Sequence, residues 1–341
     1  MSRRKEISRT AGAVCLLFAA CLGSHAQVQT FPLAGAQDLE EHNVKVEAVE
    51  YKGRKAVRVT PPAPPAPGLA VLRGVDFADG TIEADIAVKV TTPPAIRNPG
   101  FIGIAFRVRP DARHYEQFFL RPGNSSSQDQ VQRNHSVQYA SKPDYDFFKL
   151  RWPWPSVYEA YADLQSETWT HVKIEVQGRE AKLYVNGATS PVLVVDGLKG
   201  EDLNGGVGLW ASSGQESYFS NVRITHVKKQ PVENGGEANG TWEVKYASDG
   251  GNYAGVLKLH RDGATVSGTA SGLLGADVPV AGTWRNGYVE LAFQGTWAGP
   301  GGKSSIPATA NLAGWIDGSA AKGRVSVPGR ADGVWTATRK E

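Results

Sequence analysis

Cysteine is nearly absent: the chain has two, Cys15 and Cys21, both near its start. Without that segment no disulfide or thiolate metal site remains, so packed apolar surface has to hold the fold together. Beyond residue 26 no apolar run approaches the roughly 20 residues that a membrane-spanning helix needs. Helical periodicity is scarce too, and only residues 38–41 and the neighbourhood of 158–164 read as a helical turn or two. Also missing are a His-x-x-x-His zinc spacing, a Gly-x-Ser-x-Gly nucleophile elbow and a phosphate loop. The seven histidines are scattered, one of them, His25, lying in the N-terminal segment.

That segment carries Arg3, Arg4, Lys5 and Arg9, an apolar run over residues 11–22, and Ser24-His25-Ala26 ahead of Gln27. Basic, apolar and small-residue regions in that order read as a secretory signal, residues 1–26, cleaved after Ala26. The expected location is secreted or periplasmic. Two variants of the reading stand beside it. Phe18-Ala19-Ala20-Cys21 resembles a lipobox with Phe in place of Leu, which would make a lipoprotein anchored at Cys21. Ser2-Arg3-Arg4 resembles the start of a twin-arginine signal, with Glu6 where that signal prefers Phe. Removing residues 1–26 leaves 33 basic and 33 acidic residues. A nucleic-acid partner is not expected, because phosphate binding depends on a basic surplus. A neutral, aromatic-bearing exported chain fits an uncharged partner such as a glycan.

What is abundant is two-residue alternation. Ile82, Ala84, Ile86, Val88 and Val90 alternate with Glu83, Asp85, Ala87 and Lys89, and Ile102, Ile104, Phe106 and Val108 repeat the pattern. This is the period of a half-buried strand. Strands are predicted over 44–51, 55–59, 69–72, 81–90, 101–109, 115–121, 136–139, 169–176, 181–185, 206–211 and 217–227. Eleven short strands separated by turn residues favour one large sandwich over residues 27–228. The Pro-rich stretch 61–67 has few ladder donors and reads as an extended connection at a sheet edge. Residues 229–239 are polar, Gly-rich and aperiodic, as linkers are. From 240 to 341 short strands recur with hairpin signals Asp262-Gly263 and Asn286-Gly287. Gly-x-Trp appears at Gly240, Gly282, Gly295 and Gly333. The fold class is therefore all-β: a sandwich followed by a small up-and-down barrel.

Two resemblances sharpen this picture. Phe77-x-Asp79-Gly80-Thr81-Ile82-Glu83-x-Asp85, Gly103-Ile104-Ala105-Phe106-Arg107, the run from Trp169 to Val176, and Gly208-Leu209-Trp210 together resemble the concanavalin A-like lectin and glucanase superfamily. The nearest branch is the 3-keto-disaccharide hydrolase-like one. The resemblance covers residues 69–227 and implies a jelly-roll sandwich whose concave sheet holds an oligosaccharide. The second domain resembles the lipocalin and avidin superfamily, which implies that Trp242 on the first strand is covered by Arg339 from the last.

Laminarinase-type hydrolases of the first superfamily carry Glu-x-Asp-x-x-Glu on one strand. Here the string is Glu83-Ala84-Asp85-Ile86-Ala87-Val88, so the last acid is replaced by Val, and a retaining mechanism that needs two carboxyls loses one. The run from Arg113 to Tyr161 is instead dense in side chains that bind polar ligands. Alternation puts Tyr115, Gln117, Phe119 and Arg121 on one face, with His114, Glu116, Phe118 and Leu120 on the other. Arg107 and Arg109 fall opposite Ile104 and Phe106, on a face expected to be exposed. Sugars offer C–H faces to rings and hydroxyls to donors and acceptors. The expected ligand contacts are therefore Arg107, Tyr115, Gln117, Arg121, Arg133, Asn134 and Trp152. Glu83, Asp85, His114 and Glu116 are the weaker catalytic candidates.

Three readings remain open from residues alone: a carbohydrate-binding protein, a glycoside hydrolase or lyase acting on a modified sugar of the 3-keto type, and a structural envelope module. No cofactor is expected. For calcium, which several lectins of the superfamily use, only the pairs Asp76 with Asp79 and Asp144 with Asp146 are offered, short of the six to eight oxygens that the ion takes.

Overall fold

A computed structural model describes residues 27–62, 67–93, 95–229, 235–302 and 305–340. The expected signal, residues 1–26 with Cys15 and Cys21, lies outside them, as do parts of the Pro-rich stretch and of the expected linker. The first unit contains β1 (Val28–Phe31), β2 (Leu39–His42), β3 (Lys45–Tyr51), β4 (Arg54–Thr60), β5 (Gly68–Leu72), β6 (Gly80–Val90), β7 (Ile102–Val108) and β8 (Tyr115–Leu120). Short helices α1 (Pro122–Ser125) and α2 (Gln130–Arg133) precede β9 (Val137–Lys142), and α3 (Phe147–Arg151) follows it. Then come β10 (Glu159–Ala160), β11 (Thr170–Gln177), β12 (Glu180–Val185), β13 (Leu193–Asp196), β14 (Gly206–Ala211) and β15 (Gln215–His226).

These strands form two antiparallel sheets. One has the order β13-β12-β11-β6-β15-β4-β3, with β1 added on β15; the other runs β10-β9-β8-β7-β14-β5-β2. Between them lies the core, where Ile82, Ala84, Ile86 and Val88 meet Ile104, Phe106, Phe118 and Leu209, all at most 1% exposed. Alternation puts Val88 inside beside Ile86, as its place in the strand pattern requires.

Eleven predicted strands are present, and four short ones were not foreseen: β1, β2, β10 and β13. The helical turn expected at residues 38–41 is instead β2, whose Leu39 is buried and pairs with Leu72 of β5. Tertiary pairing overrides a weak local pattern here. Residues 158–164 hold the two-residue strand β10 rather than a helix.

Arg107 departs from the alternation of its strand. Alternation placed it on an exposed face, yet it is 1% exposed. Between β7 and β14, Gly206 pairs with Val108 and Val207 with Phe106, which leaves Arg107 as the extra residue of a β-bulge with φ of 52°. A bulge re-aims the side chain at the point where it occurs. Arg107 turns inward and donates to the carbonyls of Ala78 and Gly178 and to Asp79 Oδ1 at 3.1 Å. Burial lowers its affinity for the proton, and the nearby carboxylates Glu116 and Asp79 oppose that effect.

The second unit is a closed barrel of eight antiparallel strands: β16 (Gly240–Ser248), β17 (Gly251–Asp262), β18 (Thr265–Ser271), β19 (Val278–Arg285), β20 (Tyr288–Trp297), β21 (Ile306–Asp317), β22 (Ala320–Val327) and β23 (Ala331–Arg339). Closure removes the unpaired edges that a small sheet would otherwise expose. Trp242, Val244, Tyr246, Leu257, Leu291, Phe293, Leu312 and Trp335 belong to its single packed cluster, each at most 3% exposed. The Arg339 guanidinium lies 4.7 Å from the Trp242 ring centre, so the pair implied by resemblance does meet. Glycine permits the tight crossing of β21 and β22: a Cβ at Gly323 would stand 2.0 Å from the Ala313 carbonyl oxygen.

Replacing Asp79 by Ala should strip Arg107 of its carboxylate while leaving the cation buried. Breaking such a pair from one side costs about 3–5 kcal/mol. Chemical denaturation of Asp79→Ala should show a loss of that order; a change under about 1 kcal/mol would contradict the structural role given to the bulge.

Candidate functional site

The face that carries Tyr115, Gln117 and Arg121, here the outer face of the seven-stranded sheet, was expected to bind the ligand. It is packed instead. Tyr115, Phe119, Trp210, Leu69 and Val108 form a cluster there with Ala105 and Ala140, each no more than 9% exposed. Phe119 lies 5.3 Å from Trp210, and small residues beneath the rings let these bulky neighbours close over the strands. Gln117 pairs across with Ala105 and Ala140 and is 1% exposed. Arg121 is buried as well. It stacks over Phe119 and donates to Gln138 Oε1 at 2.6 Å, with Glu159 Oε2 at 3.6 Å. Burial pulls its pKa down to about 10, against the pull of Glu159. These two expected ligand contacts therefore serve the packing of the sheet.

Arg133 and Asn134 end α2 and are held locally. Arg133 Nη1 donates to the Ser127 carbonyl at 2.7 Å, and Gln130 Nε2 donates to Asn134 Oδ1 at 2.8 Å. Glu83 and Asp85 lie on the outer face of the other sheet, where Asp85 meets Arg54 at 2.7 Å, His171 at 2.9 Å and Asn221 at 2.9 Å. Partly exposed charges interlocked in this way form a solvated ion-pair ladder across neighbouring strands. The two acidic pairs weighed for calcium are divided among other partners. Asp79 binds Arg107, Asp76 accepts from Asn204, Asp144 faces Arg285, and Asp146 caps α3 and meets Lys142. Among the described residues no group of three or more His, Cys, Asp or Glu gathers.

Open space occurs where the barrel meets the sandwich. Lys199, in the segment after β13, is fully buried and donates through Nζ to the Tyr288 hydroxyl of β20. Its ammonium end lies 5.7, 5.2 and 4.5 Å from the ring centres of Tyr145, Tyr158 and Tyr288. Trp315 of β21 donates its indole N–H to the Leu198 carbonyl at 2.9 Å, and Arg179 lies over the same ring at 3.1 Å. Arg285 of β19 reaches Glu201 at 2.8 Å and Asp144 at 3.5 Å. Behind Lys199, Tyr139 donates to Glu116 Oε2, and the Gly200 N–H donates to Glu116 Oε1 at 2.6 Å. Burial raises the Glu116 pKa.

Three adjoining hollows follow this seam, and Tyr145 lines all of them. The polar one, ≈ 260 Å³, is walled by Arg107, Arg109, His114, Tyr115, Glu116, Lys142, Glu201, Asp202 and Arg285, among others. A middle one of ≈ 380 Å³ adds Lys149, Thr283, Trp284, Tyr288 and Glu290. The third, ≈ 530 Å³, lies between α3 with its following turn and β19–β21, and is lined by Phe148, Trp152, Trp154, Glu290 and Asn311. Trp152 is 80% exposed, while Trp154 is buried at 4%.

Of the residues singled out from sequence, the structure thus brings Arg107, His114, Tyr115 and Glu116 to the polar hollow and Trp152 to the aromatic one. Those it adds are Tyr145, Lys199, Arg285, Tyr288 and Trp315. No pattern along the chain marks them, because they come from segments up to about 170 residues apart.

No family model matches this chain, and no curated protein does. Solved structures resemble part of this chain at low identity. A carbohydrate-binding module, CBM66 from Bacillus subtilis, is 14% identical with a TM-score of 0.39, covering 55% of this chain and 95% of that one. A protein of unknown function with a galectin-like fold, also from Bacillus subtilis, is 11% identical with a TM-score of 0.42, covering 60% and 98%. The exoplasmic/lumenal domain of VIP36 is 12% identical with a TM-score of 0.41, covering 61% and 92%. At such scores the fold assignment stands on the sheets and barrel themselves.

The Lys199 cluster makes docking of the barrel pH-dependent. Burial outweighs the pull of Glu290 and Glu116 and lowers the Lys199 pKa from its ordinary 10.5 to about 7. The unfolded chain therefore binds a proton that the folded one does not, between pH 10.5 and 7. Stability contributed by this group is full above 10.5, falls as the pH drops towards 7, and is level below. Urea unfolding of wild type should show that slope, and Lys199→Met should flatten it. Parallel pH profiles for the two proteins would contradict the assignment.

Proposed function

We propose that the protein recognises a carbohydrate along the seam between sandwich and barrel, and that the N-terminal signal exports it to meet that ligand. The observation that carries this reading is the aromatic hollow. Trp152 stands 80% exposed on its rim, with half-exposed Phe148 beside it and the polar groups of Thr283, Glu290 and Asn311 across from them. A large ring left in water has an unfavourable surface that the apolar C–H face of a pyranose can cover. Donors and acceptors a few ångströms away then meet the hydroxyls at the edge of the same sugar.

The sequence resemblance to the concanavalin A-like superfamily supports the same ligand class. It implied the concave sheet as the groove, and the packed rings on the outer face of the seven-stranded sheet move the reading to the seam. Glu83 and Asp85, the acids nearest to a glycosidase motif, line none of the three hollows, which favours recognition over hydrolysis through that pair.

Binding to immobilised or titrated oligosaccharides tests the placement. Trp152→Ala should weaken affinity about tenfold, near 1.4 kcal/mol, without changing the unfolding midpoint, because the ring is exposed in the free protein. Glu83→Gln and Asp85→Asn should bind as wild type does. Wild-type affinity in Trp152→Ala, or loss of binding in the two acid variants, would remove the seam as the site.

A further inference from the structure

The polar hollow is crowded with charge, yet its charges are matched within the protein. Arg109 Nε lies 2.6 Å from Asp202 Oδ2. Arg285 is shared between Glu201 and Asp144, and Lys142 Nζ meets Asp146 Oδ2 at 2.7 Å. Glu116 takes hydrogen bonds from the Tyr139 hydroxyl and the Gly200 amide. Arg107, whose Nη2 meets Asp79, keeps one unpartnered nitrogen, Nη1, but that atom is buried out of reach of solvent. Four basic side chains and four acidic ones line this hollow, so its formal charge balances.

Resting on the seam as the carbohydrate site, we infer that its ligand is a neutral oligosaccharide and that uronic-acid or sulfated chains are discriminated against. A carboxylate or sulfate entering the hollow meets cations that Asp202, Glu201 and Asp144 already neutralise, so one of the crowded anions is left without a countercharge in a partly buried place. A neutral sugar makes no such demand. Each hydroxyl both donates and accepts, so it can add to the spare lone pairs of Asp202 or Glu201 and to spare N–H groups of Arg109 or Arg285 while the ion pairs stay intact. Rejection by unpaired charge gives selectivity without a dedicated repulsive residue. The adjoining hollow acts in the same direction: its rings favour C–H faces, and the formal charge of Lys149 in its lining is matched by that of Glu290.

Titration calorimetry of the full chain separates the possibilities, using neutral hexose and pentose oligosaccharides and their uronic-acid and sulfated counterparts at low and high salt. Neutral chains should bind with affinity changing less than about twofold with salt, and anionic chains at least about tenfold more weakly. Asp202→Asn releases Arg109 and should raise anionic binding by about tenfold or more at low salt. Anionic chains that bind wild type more tightly, in a salt-sensitive manner and dependent on Trp152, would overturn the inference while leaving the seam as the site. If no member of the panel responds to Trp152→Ala, the seam reading falls and this inference with it.

Discussion

The contact on which the rest depends is the burial of Lys199 beneath the barrel. A lysine in the interior is costly, and the cost is met only because Tyr288 receives its Nζ while three tyrosine rings and the loop around Leu198 close about it. Trp315 fixes the same loop through its indole N–H, and Arg285 ties the barrel to Glu201 and Asp144. These links make the two all-β units neighbours with a shared wall. Without them the aromatic hollow keeps one side only, and the polar hollow loses Arg285 from its lining.

The two faces of the seven-stranded sheet illustrate why aromatic content alone does not identify a groove. Tyr115, Phe119 and Trp210 are ring-bearing and beside polar Gln117 and Arg121, as a sugar subsite would be, but the rings rest on Ala105 and Ala140 and on one another. Rings that already share their surface have little left for a ligand. Trp152 differs in being exposed, although it comes from the same rigid Trp-Pro-Trp-Pro segment as buried Trp154. One tryptophan of that segment anchors it in the core and the other is free for recognition.

Much of the fold was legible because it follows from a two-residue period. Ile82, Ala84, Ile86 and Val88 on one strand and Ile102, Ile104 and Phe106 on another face the core as their alternation requires, and the Gly-x-Trp spacing marks barrel strands. Arg107 was misplaced for a physical reason: a bulge is defined by the partner strand, here at Gly206 and Val207, and leaves no mark in the periodicity of its own strand. The strand at Leu39 was misread because four residues carry too little pattern to separate a turn of helix from an edge strand. The candidate site was legible only in parts. Tyr115, Glu116 and Trp152 stood out by residue type, whereas Lys199, Tyr288 and Trp315 become functional neighbours solely through docking between units.

The central claim is that sandwich and barrel form one body around Lys199. Nuclear spin relaxation of backbone amides in the full chain at pH 8 tests it most directly. The account predicts a single rotational correlation time shared by amides of β6 and β11 in the sandwich and of β16 and β23 in the barrel. Two distinct, shorter times, one for each unit, would show that the barrel moves freely and would contradict it.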